Sequence, residues 1–179
     1  MLKTSRLLLR PPVESDFEPT VAMFREADVT RYIGGALDRA DVWTRFLRDC
    51  GHWSLMGFGQ LTIIEKASGA YVGKTGLARS ERDLGPSADT SVECSWTLRS
   101  AFQGQGYARE AASAALGWYD SCAGGPTACL IDEANVASLK LASFLGYFEV
   151  DRLTRLSGRA VVFRRDSPAH EQNSGISVR

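Results

Sequence analysis

Gln103-Gly104-Gln105-Gly106-Tyr107-Ala108 is the stretch of this sequence whose residue types and spacing point most directly to chemistry. It lies between an alternating run at 91–98 and a long alanine-rich run that starts at Tyr107. A helix start carries unpaired backbone N–H groups and about half a positive charge. Glycines in front of it let the main chain approach a ligand closely and adopt positive φ. Together these features predict a pyrophosphate cradle built from backbone donors. Two other phosphate-loop patterns do not fit. The dinucleotide pattern G-x-G-x-x-G fails at Arg109, and the stretch sits past mid-chain rather than in an opening strand-helix-strand unit. No G-x-x-x-x-G-K-[ST] is present, since neither Lys66 nor Lys74 follows a suitable glycine pair. No metal is expected either. Cys50, Cys94, Cys122 and Cys129 form no C-x-x-C pair, and His52 and His170 are the only histidines. A structural zinc takes four well-spaced ligands.

The elements around the cradle follow from patterning. Ser91–Leu98 reads as a strand with Val92, Cys94, Trp96 and Leu98 on one face and Glu93, Ser95 and Thr97 on the other. Ala108, Ala111, Ala112, Ala115, Leu116 and Tyr119 recur at helical spacing, and alanine is the best helix former. Upstream, Thr4–Arg10 reads as a strand stopped by Pro11-Pro12. Ser15-x-x-Glu18 reads as a capping box that opens a helix over roughly 16–27. Asp38 opens a second helix with Trp43, Phe46, Leu47 and Cys50 on one face. Strands at 57–66 and 70–78 flank the turn Ala67-Ser68-Gly69, and Arg79–Thr90 reads as a polar surface loop. A strand at 127–132 follows, then a helix capped by Asn135 and stopped by Gly146. Strands at 147–153 and 159–164 turn at Ser157-Gly158. The fold class is therefore α/β (α+β mixed), one domain over 1–165 with helices on both sheet faces, followed by a polar tail over 166–179 expected to be disordered.

Composition sets the outer limits. The chain has 179 residues, within the range of one domain. Lys plus Arg equals Asp plus Glu at 21 each, so no basic excess exists to hold nucleic acid. No apolar run reaches the ~18 residues of a membrane span. The first residues lack the ~7–15-residue apolar core of a secretory signal, so reduced thiols and a cytoplasmic address are expected.

Gln-x-x-Gly-x-Ala over 103–108 resembles the acetyl-CoA loop of the GNAT N-acetyltransferases. Other stretches resemble the ribosomal-protein N-acetyltransferase-like branch of that family. They are Thr4-Ser5-Arg6-Leu7-Leu8-Leu9-Arg10-Pro11, Asp16, and Val29-Thr30-Arg31-Tyr32-Ile33-Gly34 near the start; Ser68-Gly69-x-x-Val72-Gly73-x-x-Gly76-Leu77 in the middle; and Asn135-x-x-Ser138 with Leu145-Gly146-Tyr147 near the end. The resemblance spans about residues 3–165. It implies a mixed, mostly antiparallel sheet of about seven strands that splays between strands four and five, here 91–98 and 127–132. The pantetheine arm of acetyl-CoA would lie in that gap. Thr97 and Leu98 would offer it backbone bonds, Gln103, Gly104, Gln105, Gly106, Tyr107 and Ala108 would hold the pyrophosphate, and Asn135 would touch the arm from the far side.

The reaction so implied is direct transfer of an acetyl group to a primary amine in a ternary complex. A backbone N–H of strand four would steady the oxyanion. A base acts best with a pKa near the working pH. Glu93, on the polar face of strand four, is the base candidate, directly or through a water. Ser138 is the acid candidate near the CoA sulfur, with Tyr147 as the alternative. Fold and cofactor do not name the acceptor, which is a protein N-terminus or a small-molecule amine. Arg31, Tyr32, Trp43 and Trp53 are candidate acceptor contacts, and His52 reads as structural or exposed. A homodimer fits the branch. The rival readings are a non-catalytic CoA-binding module and a transferase of a different acyl-CoA.

Overall fold

The computed structural model describes residues 1–155 and 158–167. Ser157 of the expected turn, and the tail from 168 on, lie outside the described residues. The chain folds as an eight-stranded sheet in the order β1-β2-β3-β4-β5-β6-β8-β7. The strands are β1 (Leu2–Lys3), β2 (Leu7–Arg10), β3 (Gln60–Glu65), β4 (Tyr71–Arg79), β5 (Val92–Leu98), β6 (Thr127–Asp132), β7 (Phe148–Arg155) and β8 (Gly158–Arg165). The expected fold class holds, and the eighth strand is the two-residue β1. The helices are α1 (Phe17–Arg25), α2 (Ala27–Thr30), α3 (Arg39–Met56), α4 (Tyr107–Cys122) and α5 (Val136–Phe144).

Alternation along the strands sends side chains to both faces of the sheet. On one face Leu7, Leu9, Leu61, Ile63, Cys94 and Leu98 pack with Ala111, Ala112, Ala115 and Leu116 of α4. The alanine stripe lets that helix lie close to the sheet. On the other face Tyr71 joins Val21, Met23, Phe24 and Val42 of α1 and α3.

Three local expectations change. Ser15 caps nothing; Asp16 instead takes Val13 N–H at 2.9 Å and a two-pronged bond from Arg10 at 2.6 and 2.8 Å. A charge-assisted pair outcompetes a neutral hydroxyl cap. The helix read over 16–27 breaks at Glu26, whose ψ of 117° is extended, and restarts as α2. The buried stripe of α3 runs through Val42, Phe46 and Asp49, leaving Trp43 and Leu47 largely exposed. Asp49 turns inward because Lys74 of β4 meets it there. The remaining caps form as read: Asp38 accepts from Asp41 N–H, and Asn135 accepts from Ser138 N–H.

The sheet opens between β5 and β6. β5 and β6 run parallel and register at one pair, Glu93 opposite Ala128. Every other strand pair is antiparallel with at least two registered positions. Past Glu93, β5 continues to Leu98 beside β4 while β6 departs.

Candidate active site

The gap between β5 and β6 holds a cavity of about 370 Å³. Its floor is Trp96, Thr97 and Leu98 at the end of β5. Gln103, Gly104, Gly106, Tyr107 and Ala108 form one end, and Asn135 and Ser138 of α5 form the facing wall. These residues lie in three separate stretches of sequence, and the splayed strands bring them together.

The loop is shaped as its composition requires. Gly104 and Gly106 take φ of 72° and 80°, a left-handed conformation that costs a side chain most. Gly106 is the N-cap of α4, so the N–H groups of the first turn are left for a ligand. Gln103 donates from Nε2 to Leu98 O at 3.0 Å, tying the loop to the end of β5. Gln105 donates from Nε2 to Ala101 O at 2.7 Å and does not line the cavity. Of the loop residues expected to hold the pyrophosphate, Gln105 is thus the one that stands outside the cavity lining. Tyr107 is buried, donates its hydroxyl to Glu65 and also lines the cavity.

Asn135 serves as cap and wall together. Its Oδ1 accepts from Ser138 N–H at 3.1 Å, and the residue lines the cavity. Ser138 Oγ receives the indole N–H of Trp96 at 3.1 Å. An indole nitrogen only donates, so the serine proton remains available to another acceptor. Tyr147 lies elsewhere: its hydroxyl is 2.7 Å from Thr127 Oγ1 in the core, and burial pushes it far above the ordinary phenol range.

Glu93 does not line the cavity. It is buried at the opposite end of β5, and the loop after β4 returns over it. Ser80 Oγ donates to Oε1, and Arg82 donates to both carboxylate oxygens. The loop expected to be purely superficial buries Leu84 and Ala88 against Ala128 and Val162, which holds Arg82 in place.

A further wall holds one expected acceptor contact, Tyr32, and three residues not named as contacts from the sequence. Asp28 and Val29 of α2, with Tyr32 and Ile33 just after it, close the cavity opposite α5. Their placement depends on Glu26, which accepts from Arg99 Nε at 2.8 Å and Ser100 N–H at 2.7 Å and so pins α2 to the end of β5. Burial pulls the Glu26 carboxyl upward, but these bonds outweigh it and hold it below its ordinary range. Of the four acceptor candidates, Tyr32 lines the cavity and Arg31 stacks over it. Trp43 lies in an outer groove with Phe17, and Trp53 donates to Gln60 O and packs on Trp118. His52 is structural: Nε2 accepts from Arg79 N–H, so Nδ1 carries the proton toward Phe58 O.

Comparison with known proteins agrees with this architecture. Residues 6–147 match the family model described as an acetyltransferase (GNAT) domain. An uncharacterized protein, YkkB, of Bacillus subtilis (strain 168) is 28% identical over 173 residues, covering 93% of this chain and 95% of its own. A putative GnaT-family acetyltransferase from Bordetella pertussis superposes with a TM-score of 0.82 at 30% identity, covering 92% of this chain and 98% of its own. An acetyltransferase from Agrobacterium tumefaciens str. C58 superposes at 0.76 with 27% identity, covering 91% and 92%. With a splayed β5–β6 gap, a glycine cradle at its end and a family model covering most of its length, this chain belongs to the GNAT acetyltransferase family.

Proposed function

We propose that the protein is an acetyl-CoA-dependent N-acetyltransferase that moves the acetyl group directly to a primary amine. The observation that carries this reading is the single cavity shared by the end of β5, the 103–108 loop and the start of α5. A pyrophosphate on the first-turn N–H groups of α4 would leave the pantetheine arm running along Thr97 and Leu98. The thioester would then lie toward Ser138 and Trp96. Acetyl-CoA is consumed as a co-substrate.

The amine nitrogen attacks the thioester carbon, the C–S bond breaks, the nitrogen loses a proton and the sulfur gains one. A β5 backbone N–H steadies the oxygen in this reading. Ser138 offers its hydroxyl proton to the departing sulfur, and Trp96 N–H holds that hydroxyl in orientation. In this reading Glu93 would receive the amine proton only over a relay of several waters, because it lies outside the cavity, four residues along β5 from Thr97 and about 13 Å at strand rise. The acceptor is a protein N-terminus or a small amine, presented from the side of Asp28 and Tyr32. The ribosomal-protein N-acetyltransferase-like branch is supported by the Thr4–Pro11 opening and the Asn135-x-x-Ser138 helix start. The site is proposed to work in the cytoplasm.

A second reading of Glu93 has its own observation. The two-pronged bond from Arg82 makes it a clamp for the 80–91 loop. Glu93→Gln separates the two: a base loses rate at unchanged acetyl-CoA affinity, whereas a clamp loses thermal stability at little changed rate. The reading as a whole is tested by thermal unfolding with acetyl-CoA, CoA, NAD and ATP in turn. A ligand at 100 times its Kd stabilises by about 2.7 kcal/mol, a rise of roughly 5–10 °C in Tm at this size. A rise with acetyl-CoA and CoA alone is expected. Absence of a rise with both overturns the reading.

A further inference from the structure

The opening segment Thr4-Ser5-Arg6 and Glu110 on the first turn of α4 are 104 to 106 residues apart in sequence and tightly joined in space. Glu110 Oε1 accepts from Thr4 Oγ1 at 2.6 Å, Ser5 Oγ at 3.0 Å and Arg6 N–H at 2.8 Å. Its Oε2 accepts from Arg6 Nε at 2.7 Å. The guanidinium so held lies 4.2 Å over the Tyr107 ring and donates from Nη1 to Gln105 O at 2.9 Å. Nothing in the catalytic reading requires this arrangement.

The bond to Gln105 O has a consequence for the cradle. Among the described residues, the other hydrogen bonds of residues 103–106 come from their own neighbourhood: Gln103 to Leu98 and Ser100, Gln105 to Ala101, and Glu110 N–H to Gly106 O. Arg6 supplies the one tie from a distant part of the chain. In a planar trans peptide the C=O and the following N–H point in opposite directions. Gly106 lines the cavity, while Gln105 and Arg6 do not. A Gln105 carbonyl drawn outward to Arg6 therefore turns the Gly106 N–H inward. Left-handed glycines on either side of Gln105 would leave that peptide free to rotate without such a hold.

We propose that Arg6 is a positioning residue of the pyrophosphate loop: held by Glu110, it fixes the Gln105–Gly106 peptide so that its N–H faces the ligand. Arg6 itself touches no part of the co-substrate. The inference rests on the acetyl-CoA reading above and deepens it. Glycine at 106 is required by its φ of 80°, and a Cβ there would sit in ordinary contact with Arg6 Nη2, at 3.4 Å.

The test is calorimetric binding of two ligands, acetyl-CoA and S-acetylpantetheine, which lacks the pyrophosphate. Wild type, Arg6→Ala, Arg6→Lys and Glu110→Gln are compared below their unfolding temperatures. Arg6→Ala is expected to weaken acetyl-CoA by about tenfold, the size of one charge-assisted hydrogen bond. S-acetylpantetheine should stay within about twofold, and Arg6→Lys should recover part of the loss. Glu110→Gln, which keeps the side-chain shape, should move in the same direction as Arg6→Ala and serves if that variant does not fold. Equal weakening of both ligands would reduce Arg6 to a general structural support and overturn the proposal, as would unchanged acetyl-CoA affinity. Wild type that binds neither ligand would instead sink the acetyl-CoA reading itself.

Discussion

At Ser138, a hydroxyl that caps nothing is held by the indole of Trp96 and lines the cavity. Local hydrogen bonding would have been the ordinary role for a serine in a first helical turn. Here Asn135 takes the cap, and Ser138 supplies only its backbone N–H to it. Ser138→Ala is expected to lower kcat by about a hundredfold, as loss of a proton-transfer group does. The acetyl-CoA Kd should hold, since the backbone N–H remains. Thiol release under saturating acetyl-CoA checks it. Tyr147→Phe should leave kcat unchanged and lower Tm, because its hydroxyl serves Thr127 in the core. Were Tyr147→Phe to abolish rate with Ser138→Ala fully active, the two roles would be reversed.

Among the elements, the β4–β5 pairing sets the floor of the cavity. Gly73 lies opposite Leu98, and a Cβ there would meet Thr97 O at 2.2 Å and Leu98 Cα at 2.8 Å. Both are backbone atoms, so the strand itself must move. Gly73→Ala is expected to cost about 1–3 kcal/mol, as overpacking does, and to weaken acetyl-CoA through the displaced Thr97–Leu98 edge. Thermal melts and a binding isotherm check it; a stable variant with wild-type affinity would show that the edge tolerates displacement. The break between α1 and α2 belongs to the same scale. A continuous amphipathic pattern predicted one helix, but the Glu26 bonds to Arg99 and Ser100 hold Glu26 extended at the junction and bring α2 to the cavity wall. Residues 73 apart in sequence make that contact, beyond what periodicity records.

For the molecule as a whole, carboxylates held by long-range partners tie stability to pH. Burial pulls Glu110 upward, but the bonds from Thr4, Arg6 and Ser5 prevail and hold it at about 2, against an ordinary 4.5. Asp16, desolvated but bonded by Arg10, Val13 and Thr62, is also held low. In the unfolded chain these groups take up protons first as pH falls. Their contribution is complete above the ordinary carboxylate range and is lost between about 4.5 and about 2 for Glu110. Tm is therefore expected to fall through that window, with a shallower fall in Glu110→Gln. Equal slopes in melts at stepped pH would remove Glu110 from the account.

The sequence by itself determined most of the elements and the conformation of the loop. Strand alternation, the alanine stripe of α4, the Asp38 and Asn135 caps and the paired glycines at 104 and 106 all follow from local sterics and hydrogen bonding within a few residues. Family resemblance rested on the same short motifs. What tertiary structure alone decided was which polar side chain meets which. Asp16 paired with Arg10, Glu93 paired with Arg82, Asp49 turned inward to Lys74, and Glu110 drew in Arg6. Burial in a low-dielectric setting makes an unpaired charge costly, so each carboxylate takes the strongest cation the fold brings near, wherever that cation lies in the chain.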